Sequence, residues 1–201
     1  MTTARDLALV SADPPGGAVV ERGDLSLALA GAELIDLLVA GALTLDGTRL
    51  VPGGPPPAGD ALLSEAAERL RDGGPGESVE DWLWRRGRDL AARYRAVLEE
   101  EGLVQPERRG RNPLRRHRDA AADPSAAVRA RDRWASGDPV LGALAAAAGL
   151  TERGSEEQSD GLTDDHAAVL AAVLQAVTEL AGERQRRTIE AAAFDNIWRG
   201  N

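Results

Sequence analysis

The stretch from Leu25 to Leu45 restricts this chain's fold more than any other feature. It is the longest apolar-leaning run in the sequence, and two carboxylates, Glu33 and Asp36, interrupt it. A membrane-spanning helix needs roughly 20 predominantly apolar residues with few or no charges, so the interrupted run reads as an amphipathic helix buried in a protein core. Leu27, Leu29, Leu34, Leu37 and Leu38 recur at helical spacing. Asp24 stands where an N-cap is wanted and Gly41 where a helix stops.

The rest of the chain favours the same class. Aromatic residues are 3% of the sequence, so Leu, Val and Ala must fill the core, and Ala and Leu are strong helix formers. A mainly α single-domain helix bundle over residues 1–201 is expected, with a short β-hairpin and few short strands. Residues 5–10 and 18–20 read as short strands or an extended lead-in. Alternation on both sides of Asp46-Gly47 marks the hairpin at 43–51. The Pro- and Gly-rich segment 52–59 is a loop. Asp60 caps a helix beginning at Ala61, and the capping box Ser78-Val79-Glu80-Asp81 opens one running over 79–101 with Gly87 inside it. Further helices are expected at 125–136, opened by Asp123-Pro124, at 139–149, and over 163–199. The last is capped by Thr163 and continues or breaks near Gly182. Residues 102–118 read as a loop or short hairpin, and 152–161 as an acidic surface loop.

Catalytic chemistry finds little support. The chain has no cysteine, which excludes disulfides and thiolate metal sites. His117 and His166 are far apart. Asp164-Asp165-His166 could be drawn as ligands, but acidic residues at a helix N-terminus are explained by the helix dipole. Walker, dinucleotide-fingerprint and nucleophile-elbow motifs are absent. No enzyme activity, metal or cofactor is expected. Met1 to Val10 lacks a long apolar run behind a basic start, which points to a cytoplasmic protein.

All 24 basic residues are arginine, against a net charge of −9. From Arg85 to Arg118, arginines outnumber acids by six, so an anion can find a basic patch on an acidic protein. On a continuous helix, Arg85, Arg88 and Arg95 share one side, opposite Leu90, Tyr94 and Val97, with Arg86 and Arg93 flanking the apolar stripe. Guanidinium groups bind phosphate bidentately. The competing reading is a solvated face whose arginines pair with Asp89, Glu99 and other acids. Trp82, Trp84, Trp134 and Trp198 are conspicuous in an aromatic-poor chain. Core packing is the first account of each; Trp84 falls at or beyond the edge of the stripe, where an exposed tryptophan beside arginines would also suit a membrane interface.

The order DLSLALAGAELIDLLVAGALTLDG, RLV, PAGDALLSEAAERL, SVEDWL, LEEEGLV resembles the bacterial branch of the Golgi phosphoprotein 3 family over roughly residues 5–150, with 163–199 as the last helix. The resemblance implies a helix bundle with a projecting β-hairpin and a peripheral membrane protein that binds phosphatidylinositol 4-phosphate. The family's lipid pocket has a tryptophan before the first core helix, an arginine early in it, and two arginines three residues apart on a later helix. Those positions fall here on Glu21, Ala30, Arg88 and Ala91, so Arg88 is the one match. The expected site is therefore Arg88 with Arg85, Arg93 and Arg95, holding an anionic phospholipid head group on the inner face of a membrane, with an adaptor-type role, a protein partner and self-association. Two short segments, around LTLDGTRLV and LVQPERRGRNPL, also resemble winged-helix elements. Nucleic-acid binding is disfavoured by the acidic total, and a protein-interaction scaffold is the remaining alternative.

Overall fold

The computed structural model describes residues 2–14, 17–56, 59–73, 76–105, 124–150 and 162–199. Among them are eight helices: α1 (Thr3–Ala12), α2 (Arg22–Val39), α3 (Ala61–Asp72), α4 (Val79–Arg86), α5 (Leu90–Glu100), α6 (Pro124–Ala135), α7 (Pro139–Ala147) and α8 (Asp164–Arg199). One antiparallel hairpin joins β1 (Leu43–Asp46) to β2 (Arg49–Pro52). The chain is mainly α.

The interrupted apolar stretch becomes the centre of the bundle. Every side chain from Ser26 to Ile35, and Leu37, is buried along α2. The helix packs against α1, α3, α4, α5, α7 and α8. Each leucine removed from water there contributes about 1.5–3 kcal/mol. Small residues set how closely neighbours approach. A Cβ on Gly31 would lie 2.3 Å from Val173 Cγ2, so α8 crosses α2 with no room for a methyl group. α2 begins two residues before Asp24, which sits in the first turn and pairs with Arg184 of α8 at 2.7 Å.

Two carboxylates that break the run anchor neighbouring elements. Asp36 accepts from the N–H groups of Thr3 and Ala4, at 2.8 and 2.9 Å. That cap answers orphan donors at the start of α1, and it is why residues 5–10 are helical and not the extended strand their sequence suggested. Thr2 also caps α1, and its hydroxyl donates to Asp60 at 3.0 Å. Asp60 in turn caps α3 by accepting from Leu63 N–H at 3.1 Å. Residues 17–21 contain no strand, so the hairpin supplies both strands found among the described residues.

The hairpin pairs Asp46 with Arg49, which centres its turn on Gly47-Thr48. Gly47 has φ 64 while Thr48 does not, the pattern of a II′ turn. Leu50 N–H donates to Glu77 O at 2.8 Å and Val79 N–H to Thr48 O at 2.9 Å, so the hairpin runs beside the start of α4. Ser78 caps α4. The helix expected over 79–101 is broken in two. A Cβ at Gly87 would meet Leu83 O at 2.5 Å and Leu27 Cδ2 at 3.3 Å. Asp89 then takes the left-handed conformation at φ 55, which Asp tolerates better than most residues. The chain turns there before α5 starts.

α8 is a single helix through Gly182. Val169, Leu170, Val173 and Ala176 are buried. The expected cap Asp123, and the loops centred on 106–118 and 152–161, lie outside the described residues.

Candidate functional site

The break at Gly87 redistributes the arginines. Arg85 grips Glu77 with two hydrogen bonds, Nε to Oε1 at 2.6 Å and Nη2 to Oε2 at 2.7 Å. Its guanidinium carbon lies 5.1 Å from the centre of the Trp82 ring. Arg93 pairs with Glu65 of α3. Arg95 pairs with Glu99 one turn along α5, at 2.8 Å, and its Nη2 donates to Gln105 O at 3.4 Å. Arg88 is exposed in the turn between α4 and α5 and has no hydrogen-bond or ion-pair partner among the described residues. The four expected residues do not meet at one point. Arg85 and Arg93 face α3 and the segment after it, whereas Arg88 and Arg95 line neighbouring hollows on the other side.

Arg86 is the best-held cation of the run. Its side chain is 1% exposed and Glu33 is 0% exposed. The fork is bidentate, Nε to Oε2 at 2.7 Å and Nη2 to Oε1 at 2.8 Å. Nη2 also donates to Leu62 O, Nη1 donates to Glu65, and Tyr94 Oη–H donates to Glu33 Oε1 at 3.1 Å. Burial pushes the Glu33 carboxyl above its ordinary range, against the pull of Arg86 and Tyr94. Burial also raises Glu65, but hydrogen bonds from Arg93 and Arg69 and the charge of Arg86 outweigh it and bring that carboxyl down to about 2. This network ties α2, α3, α4 and α5 together, and the Arg86–Glu33 pair at its centre is buried away from any ligand.

The open side of α5 is different. Ser26 Oγ accepts from Ala91 N–H at 3.0 Å, so α2 caps the first turn of α5 and fixes where Arg88 emerges. A hollow of about 280 Å³ beside Arg88 is lined by Arg22, Trp84, Ala92 and Leu180. It adjoins a groove of about 450 Å³ between α1, α2 and α5. The two share Arg22, Ala91 and Ala92. The groove walls include Ala8, Ala12, Leu25, Leu29 and Ala96, and Arg95 and Glu99 stand at its margin. An anion beside Arg88 would therefore face one arginine from the α4–α5 turn and one, Arg22, from the start of α2, with Asp89 and apolar surface next to it.

Among the described residues, no helix is long and apolar enough to cross a membrane. With this arrangement in view, the family model described as Golgi phosphoprotein 3 (GPP34) matches residues 4–192, from α1 through most of α8. The chain belongs to the Golgi phosphoprotein 3 family. No curated protein matches it. Within this Golgi phosphoprotein 3 chain, the positions that the resemblance singled out fall in unlike surroundings. Glu21 is the exposed N-cap of α2, without a side-chain cap bond. Ala30 is 0% exposed and its carbonyl accepts from Trp82 Nε1–H at 3.3 Å, so a long cation there would have to displace the core. Ala91 is half-buried beside Arg88.

Sequence reasoning missed Arg22. It stands alone among apolar and acidic neighbours, and only the packing of α2 on α5 brings it to Arg88. The apolar spacing of both helices was visible, but their mutual position was not.

Proposed function

We propose that this protein binds anionic phospholipid head groups, of the phosphatidylinositol 4-phosphate type, and acts as a peripheral membrane adaptor and not as an enzyme. One observation carries the reading: Arg88 is exposed, without a partner among the described residues, at the mouth of a hollow also lined by Arg22. Arginine suits this work because its planar fork accepts two phosphate oxygens at once. Arg95 adds charge along the same side of α5 while remaining bonded to Glu99. Family membership supports the same class of ligand. Each arginine near an anionic surface contributes about 1 kcal/mol, so a few give reversible attachment from the cytoplasmic side without a lipid anchor.

Vesicle sedimentation tests this. The full chain is expected to pellet with vesicles containing phosphatidylinositol 4-phosphate or phosphatidylserine at low salt, and to be released as salt shortens the range of the attraction to about 3 Å near 1 M. It is expected to stay in solution with pure phosphatidylcholine. Equal partition between the neutral and anionic vesicles would overturn the proposal.

A further inference from the structure

We infer that the groove between α1, α2 and α5 receives one acyl chain of the anionic lipid whose head group lies against Arg88. This rests on the head-group reading and extends it, because it names a lipid and not a soluble phosphate as the ligand.

Three features lead there. The first is continuity. The hollow at Arg88 opens into the groove through shared walls at Arg22, Ala91 and Ala92. The shared wall and the groove run along α5 from Ala91 to Glu99, roughly 12 Å at 1.5 Å per residue. The second is the lining. Leu29 and Leu98, 0% and 1% exposed, form the floor. The walls carry methyl side chains at Ala8, Ala12, Ala92 and Ala96, which leave width for an alkyl chain. The volume of about 450 Å³ lies within the usual range of small-ligand sites. The third is the distribution of charge. Arg95 and Glu99 pair at 2.8 Å, so this margin is close to neutral, and Arg88, without a partner among the described residues, stands at the other end. A bare phosphate would leave the apolar walls in water. A neutral hydrophobe would leave Arg88 unanswered. An amphiphile with an anionic head uses both.

Isothermal titration calorimetry on the full chain with hexyl, octyl and decyl phosphate, each below its micelle-forming concentration, reads this out. Inorganic phosphate and decanol serve as comparisons. Burying two more methylenes is expected to tighten binding about tenfold, so decyl phosphate should bind about a hundredfold tighter than hexyl phosphate. Ala96→Trp, at an exposed position on the groove wall, is expected to keep the thermal midpoint while weakening alkyl phosphate binding and flattening the dependence on chain length to within about threefold. Affinity independent of chain length in the unmodified protein, with anionic vesicles still pelleting it, overturns this inference and leaves the head-group reading standing. Decanol binding as tightly as decyl phosphate also overturns it. If neither alkyl phosphates nor anionic vesicles bind, both readings fall.

Discussion

Replacing Arg86 by alanine is expected to destabilise the protein by about 3–5 kcal/mol, the usual result of leaving a buried charge without its partner. Glu33 is 0% exposed and takes both its close charge-assisted bonds from Arg86. Tyr94 alone would remain beside it. The loss contrasts with what an exposed pair such as Arg69–Glu65 contributes, about 0–1 kcal/mol. The pH dependence carries a definite sign. In the folded protein burial raises the Glu33 carboxyl above 4.5, and Arg86 opposes that rise. Without Arg86 the folded value climbs further. A raised acid binds its proton more tightly folded than unfolded, so stability falls as pH rises from about 4.5 through the folded value. The variant is therefore expected to lose least near pH 5 and most near pH 8. Glu65, at about 2, is ionised throughout that range and does not contribute. Urea unfolding of both proteins from pH 5 to 8 checks the prediction, and Glu33→Gln in the Arg86→Ala background should recover part of the loss. A difference under about 1 kcal/mol at every pH would show that the network is not sealed from water.

The second large effect is expected at Trp82. Its ring is 0% exposed between α4 and α2, and Nε1–H donates to Ala30 O at 3.3 Å. Trp82→Ala is expected to cost about 3–5 kcal/mol. The Arg85 guanidinium beside the ring is held by Glu77, so it is not free to fill the space. Ala30 O lies inside a helix, so the lost indole bond is the smaller part of the cost. Trp82→Phe should accordingly retain most of the stability. Against a total of about 5–15 kcal/mol for an ordinary domain, the alanine variant would be marginal. A shift in the urea midpoint with unchanged denaturant slope measures it. Alanine and tryptophan forms within about 1 kcal/mol of each other would contradict the packing described for α2 and α4.

How far the sequence foretold these contacts depends on whether a partner was local. The hairpin at Gly47 and the caps at Asp60 and Ser78 were legible because each is settled within a few residues. So was the Arg95–Glu99 pair, one helical turn apart. Glu33 and Asp36 were visible as interruptions of an apolar run, but their partners, Arg86 and the start of α1, come from elsewhere in the chain. α1 looked extended because its N-terminus is held by Asp36, more than thirty residues away. The break falls where Gly87 packs close to Leu27 and Asp89 takes the left-handed conformation, and it dispersed an arginine face that the 3.6-residue period had drawn as continuous. Arg85 and Arg93 are occupied by Glu77 and by Glu65 of α3, pairings that helical spacing could not reveal. Arg88 stayed open because it lies in the turn itself.

Matched neutralisation of one open and one occupied arginine separates binding by position from binding by total charge. Arg88→Gln and Arg85→Gln change the net charge equally, and both positions are exposed. In sedimentation with anionic vesicles at low salt, Arg88→Gln is expected to weaken binding about fivefold, the equivalent of about 1 kcal/mol, while Arg85→Gln leaves it unchanged. Equal losses in the two variants, or none for Arg88→Gln, would contradict the account.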